Sequence, residues 1–226
     1  MVDLRNFPLR ERKKAQTRLS ILDAVISRLY DKPLAKITIE EICEEVQISK
    51  GTFFQYFPQK TDVLVLYGLL WNLESLWLTT QSPNVSPGLK ALEYVFKNHS
   101  QKVDAHPRLW MEIIAIRALD AHTFAQMGSR ERDKISAAER AIRFPDLKGI
   151  ESIPEGNFRR LFQGNLESAV EKGELPKNTD IQSAYLSLAC IFYGVPLMSF
   201  DKPKMDSEVA YLNQLRILWK GLGALE

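Results

Sequence analysis

Residues 38–64 read TIEEICEEVQISKGTFFQYFPQKTDVL. The first four, Thr38-Ile39-Glu40-Glu41, have the pattern of a capping box: the Thr38 hydroxyl accepts from the amide three residues on, and the Glu41 carboxylate reaches back to the amide of Thr38. A helix is expected to start there and run to about Val46. After a short turn Ser49 is a second N-cap, so Lys50 to Tyr56 is expected as a short helix, and Pro58 then interrupts the chain.

On the N-terminal side, Ala15, Leu19, Leu22, Ile26 and Leu29 follow at steps of 4, 3, 4 and 3, which lines one face of a helix over about residues 9 to 31. The Asp31-Lys32-Pro33 break ends it. On the C-terminal side, residues 61 to 80 (Val63, Leu64, Tyr67, Leu70, Trp71, Leu73, Leu76, Trp77) form a long apolar segment that reads as a mostly buried helix. Proline and glycine punctuate residues 81 to 88 and 144 to 157. Further helices are expected near 87–103, 107–119, 129–142, 157–173, 179–199 and 205–222. With no sustained period-2 pattern and no internal repeat, the fold class is all-α: a small three-helix head over residues 1–60 and a larger helical domain over 61–226.

Composition narrows the function classes. The 226 residues are 45% hydrophobic and 26% charged, as in ordinary globular proteins, and no run of 18 or more apolar residues marks a membrane span. The charged N-terminus lacks the apolar region of a secretory signal, so the expected compartment is the cytoplasm. Cys43 and Cys190 have no Cys or His partner at ligand spacing, so no metal, disulfide framework or cofactor is expected. The net charge of +2 hides a basic arm: residues 1–18 carry six bases (Arg5, Arg10, Arg12, Lys13, Lys14, Arg18) against two acids (Asp3, Glu11). A polyanion partner fits that arm, although a solvated, frayed terminus has the same composition.

The central stretch resembles the helix-turn-helix of the TetR family of transcriptional regulators. The resemblance rests on Thr38, Ile42, Ser49, Gly51, Thr52, Phe53, Phe54, Tyr56, Phe57 and Lys60, a run dense enough to be specific. It implies a homodimeric, DNA-binding repressor in which Thr38, Tyr56 and Lys60 hold phosphates and fix register without reading sequence. A short helix with small side chains at its N-terminus can enter a major groove, and Gly51 permits close approach. Lys50, Thr52, Phe54 and Gln55 are the candidates for base edges, with Gln55 suited to adenine and the Phe54 ring to a thymine methyl. Ser49 belongs to the same edge, and Lys14 and Arg18 are expected to add backbone or minor-groove contacts. Phe53 and Phe57 are read as core of the head.

Three departures from the family pattern carry consequences. Gln47 stands where the family commonly has a turn glycine able to adopt positive φ, at a cost on the order of 1 kcal/mol. Cys43 and Glu45 replace frequent alanines. Glu40 would oppose phosphates, and is expected either to pair with a neighbouring basic group or to accept from a cytosine N4.

A weaker similarity to the family continues through Ala169, Gly173-Glu174-Leu175, Asp180, Ala184, Leu188 and Gly194. It implies that the last two long helices form a four-helix bundle with their twins, with Tyr185, Leu188, Phe192, Tyr211, Leu215 and Leu218 as the dimer surface; burial within the monomer is the competing reading. Trp71, Trp77, Phe96, Trp110 and Met111, with Tyr94, are candidates to line an apolar ligand cavity, with His99, Glu112 or Arg117 as polar anchors, though plain core accounts for most such residues. The expected partners are double-stranded DNA with a palindromic operator, a small and largely hydrophobic effector, and a second copy of the chain, with no membrane. An enzyme is not expected: His99, His106 and His122 have no helical metal-pair spacing, and neither a nucleophile elbow nor a phosphate-cradling glycine loop occurs. The alternative is a DNA-binding architectural or division-associated protein that responds to no ligand.

Overall fold

The structure, a computed structural model, describes residues 4–81, 85–119, 134–154, 156, 158–200 and 205–224. Among these residues there are ten α-helices and no strand: α1 (Leu9–Arg28), α2 (Ile39–Val46), α3 (Lys50–Tyr56), α4 (Asp62–Thr80), α5 (Leu89–Ala105), α6 (Pro107–Leu119), α7 (Ala137–Arg143), α8 (Phe158–Glu171), α9 (Ile181–Ser199) and α10 (Ser207–Leu222). The chain divides into two compact units, one of Met1–Glu74 with Glu112–Glu155, the other of Ser75–Met111 with Gly156–Glu226.

The first unit is organised by the apolar face of α1. Ala15, Leu19, Leu22, Ile26 and Leu29 are all buried, as the 4-3-4-3 spacing predicts, and Phe53 and Phe57 are buried with them. Helix α7 packs on α1. It starts at Ala137, later than the expected 129, because Ser136 caps it: the Ser136 Oγ accepts from the Glu139 amide at 3.2 Å and the Glu139 Oε2 accepts from the Ser136 amide at 2.8 Å. Residues 129–133 of the expected helix lie outside the described residues. Two ion pairs join the helices, Arg18 Nη1–Glu139 Oε1 and Arg143 Nη1–Asp23 Oδ1, both at 2.8 Å. Arg140 donates to the carbonyls of Ile135 at 3.1 Å and of Ile153, fixing the chain on either side of α7.

In the second unit α5, α8, α9 and α10 pack around an aromatic core. Phe96 stacks on Phe162 at 5.4 Å and meets Phe192 and Tyr211 edge-on. The His99 ring lies 3.9 Å from Phe192 at 12° and edge-on to Trp110 at 4.3 Å. Full burial pushes the His99 imidazole well below its ordinary pKa, which favours the neutral ring. The Tyr211 hydroxyl donates to the Phe192 carbonyl at 2.9 Å, so the polar end of a buried ring is satisfied. The start of α5 requires Gly88: its φ is +123°, and a Cβ there would lie 2.5 Å from the Glu174 carboxylate. That carboxylate accepts from the Leu89 amide at 2.8 Å.

Two helices, α4 and α9, reach the length and apolarity of a membrane-crossing segment, which counting uninterrupted apolar runs does not reveal. Two-thirds of the α4 window (67%) is buried within the fold, whereas 28% of the α9 window is.

Candidate nucleic-acid interface

Local chemistry builds α2 and α3 as the sequence suggests. The Thr38 Oγ1 accepts from the Glu41 amide at 3.2 Å, and the Glu41 Oε2 accepts from the Thr38 amide at 3.0 Å. Lys32 pairs with Glu41 at 2.6 Å, and this contact with the Thr38 amide lowers the Glu41 carboxyl to about 2. The turn after α2 is left-handed at Gln47, with φ 57° and ψ 48°, the one non-glycine residue of positive φ among the described residues. The Ile48 amide closes it on the Cys43 carbonyl at 3.0 Å. Ser49 then caps α3, its Oγ accepting from the Thr52 amide at 3.1 Å and bonding the Thr52 hydroxyl at 2.9 Å.

A glutamine in that left-handed turn carries the steric cost of its Cβ. Gln47→Gly is expected to raise the unfolding free energy by about 0.5 kcal/mol, the relief of strain less the extra backbone entropy of glycine. Thermal denaturation measures it, and a lowered midpoint would show that the turn is not strained.

The remaining departures, at Glu45, Cys43 and Glu40, each have a partner or a place. Glu45 pairs with Arg28, which also donates to the Glu41 carbonyl at 3.0 Å and so ties α2 to α1. Cys43 is buried, which pushes its thiol up. Glu40 pairs with Lys50, the first residue of α3, and this contact lowers the Glu40 carboxyl. The expected pairing of Glu40 with a basic neighbour is thus present.

The exposed edge of the α2–α3 pair gathers most of the expected DNA contacts. Thr38, Ser49, Lys50, Gly51, Phe54 and Gln55 are exposed, and Thr52 and Tyr56 half-buried. Phe54 leaves 47% of its surface in solvent although Phe53 beside it is fully buried, a split that core packing alone does not require. Gly51 has a right-handed helical place, and a Cβ on it would meet nothing closer than the Ser49 Oγ at 3.6 Å. Among the described residues no packing contact requires this glycine.

Three of the expected DNA contacts have other settings. Lys14 lies exposed on α1, away from the α2–α3 sequence. Lys60 donates to the Ile37 carbonyl at 2.5 Å and to that of Ala35 at 3.5 Å, closing the 3-10 turn Leu34–Lys36, and partial burial lowers its pKa. Arg18 must be removed from the set. It is 4% exposed, paired with Glu139, bonded to the Lys134 carbonyl at 3.3 Å and placed over the Phe57 ring at 5.6 Å, so it ties α1 to α7 inside the first unit.

The expected cavity residues divide between the units. Trp71 is buried in the first; in the second Phe96 and Trp110 are buried, both against Phe192, and Trp77 and Met111 are half-buried. Of the polar anchors, Glu112 belongs to the first unit, where its Oε1 accepts from the Leu34 amide at 2.9 Å. The expected dimer surface needs a larger correction: Leu188, Phe192, Tyr211 and Leu215 are core of their own unit, leaving Tyr185 and Leu218 half-buried. The solvent-facing apolar residues of these helices are instead Leu186, Leu197 and Met198 on α9 and Val209 and Ile217 on α10. Leu186, Cys190 and Leu197 recur at steps of 4 and 7, a helical stripe that could have been read beside the buried one.

Capped short helices around a tight turn, set in an all-helical chain with a basic arm, define a helix-turn-helix, DNA-binding transcription regulator. Residues 21–66 match the model of the bacterial regulatory proteins of the tetR family. The head of the chain therefore carries the DNA-binding domain described by that family's model. No curated protein sequence matches it. Among solved structures it is similar to Thermus thermophilus FadR, a transcriptional repressor in complex with lauroyl-CoA, at 21% identity over 92% of this chain and 96% of that one, with a TM-score of 0.61. Salmonella enterica GusR is 18% identical over 92% and 96%, TM-score 0.59. Bacillus subtilis FadR, in complex with stearoyl-CoA, is 14% identical over 90% and 98%, TM-score 0.56. At these identities the likeness is one of fold.

Proposed function

We propose that this regulator is a homodimeric repressor that holds an imperfect inverted repeat and releases it when a small, largely hydrophobic ligand binds its C-terminal helical domain. The observation that carries the DNA reading is Gly51: exposed at the start of α3, required by no contact among the described residues, and flanked by Lys50, Thr52, Phe54 and Gln55. A bare position on a groove-sized helix lets backbone and neighbouring side chains approach base edges. Thr38, Tyr56 and Lys60 serve phosphates, with Ser49 on the same edge and Lys14 as an outlying cation. Residues 1–60 act as the DNA-binding head and 61–226 as the ligand and dimer domain.

Dimerisation follows from groove geometry, since one short helix reads a half-site and a two-fold pair reads a palindrome in successive grooves. The exposed apolar residues of α9 and α10 supply the contact surface. For the ligand, two proteins of like fold hold long-chain acyl thioesters, and an apolar chain suits a domain with an aromatic interior. Ligand binding acts by shifting the angle of α4, which changes the spacing of the two α3 helices; a ligand does this to the extent that it binds the two states unequally.

The test is duplex selection from a random library, followed by titration of the retained complex with lauroyl-CoA, stearoyl-CoA and coenzyme A alone. A selected duplex with inverted half-sites, held by two chains and released by the acylated compounds but not by coenzyme A, is the expected result. Equal affinity for selected and scrambled duplexes would point instead to an architectural protein. Release by none of the three compounds would remove acyl thioesters as the effector.

A further inference from the structure

Resting on the DNA-binding reading above, we propose that Glu40 is a positioning residue for sequence recognition: by holding the Lys50 ammonium it turns a general phosphate binder into a reader of guanine edges. Glu40 lies in the first turn of α2 and Lys50 opens α3, so their ion pair spans the two helices of the DNA-facing edge. Both side chains are about three-fifths exposed, at 61% and 58%, and core packing therefore requires neither. Glu41, the adjacent carboxylate, is committed to the Thr38 cap and to Lys32. Among the described residues Glu40 takes no part in that cap, and its ion pair is with Lys50.

The chemistry follows from charge and geometry. A lone lysine is a flexible point charge that binds any phosphate, and each phosphate neutralised adds about 0.9 to the slope of log affinity against log salt. Paired with Glu40, the Lys50 ammonium brings little net charge to the backbone, but it is held beside the Glu40 carboxylate and keeps two of its three protons for acceptors such as O6 and N7 of guanine. Glu40 thus lowers affinity for arbitrary duplexes and spares the duplex that offers Lys50 its acceptors.

The experiment measures wild-type, Glu40→Gln, Lys50→Ala and the double variant against a selected duplex and a scrambled duplex of the same composition, over a range of salt. Glu40→Gln is expected to tighten scrambled DNA about tenfold, steepen its salt slope by about 0.9, and cut the selected-to-scrambled ratio about tenfold. In the Lys50→Ala background the same change is expected to leave that ratio within twofold. Equal tightening of both duplexes, or a full loss of discrimination by Glu40→Gln in the absence of Lys50, would overturn the proposal, the first showing plain repulsion and the second direct readout by Glu40. Failure of the wild type to prefer any duplex sinks the underlying reading and is seen before any variant is made. Unchanged thermal midpoints separate these effects from misfolding.

Discussion

Glu139→Ala is expected to lower the unfolding free energy by about 3–5 kcal/mol, because it strands a buried guanidinium. The Arg18 and Glu139 side chains are 5% and 2% exposed and meet at 2.8 Å. Arginine does not escape by losing its proton, so without the carboxylate its charge stays inside the first unit. The same substitution removes the Glu139 half of the α7 capping box, for which about 1 kcal/mol is typical and part of the total. The double variant Arg18→Met with Glu139→Gln separates the two contributions: glutamine keeps the cap and methionine removes the orphaned charge, so most of the loss should be recovered. Urea denaturation measures all three proteins. A single-variant loss under about 1 kcal/mol would mean that solvent reaches the pair and that Arg18 does not tie α1 to α7.

Leu186→Glu combined with Ile217→Glu is expected to yield monomers and to weaken operator binding by about 100-fold or more. Both positions are mostly solvent-facing, at 53% and 65%, so the charges cost little within the chain. Across a two-fold interface each would meet apolar surface and its own copy, where unpaired charges are strongly disfavoured. The loss at DNA follows from linkage, since joining two half-site contacts gains 10²–10⁴ in affinity over either alone. Sedimentation and operator titration read the two effects. A monomer with full operator affinity, or a dimer unchanged by both charges, would show that these faces do not join the copies.

Local signals proved the most legible. The Thr38 capping box, the Ser49 cap and the bounds of α3 at Lys50–Tyr56 and of α6 at Pro107–Leu119 are each set by a few adjacent residues and are as the sequence indicates. Ser136-Ala137-Ala138-Glu139 carried the same capping signal for α7, which the expected start at 129 passed over. What was not legible depends on partners distant in sequence. Arg18 stands three residues after Ala15 and four before Leu22, on the buried face of α1, but its charge suggested DNA until Glu139 was seen beside it. On α9 two apolar stripes coexist, and periodicity alone does not say which one the monomer buries: Leu188 and Phe192 went inward, Leu186 and Leu197 outward. The Glu40–Lys50 pair was legible as an oddity of charge, and its geometry needed the folded turn between α2 and α3.

The hydrogen bond from the Leu34 amide to Glu112 makes α6 a tether for the loop that precedes α2. A helix of thirteen residues is stiff, so rotation of α6 about its own axis would carry Glu112 sideways along an arc, and a hydrogen bond tolerates little of that before its geometry fails. The same turn is gripped at its other end by Lys60, next to the start of α4. Slack in one grip therefore falls on the other, since both bonds end on the same short 3-10 turn.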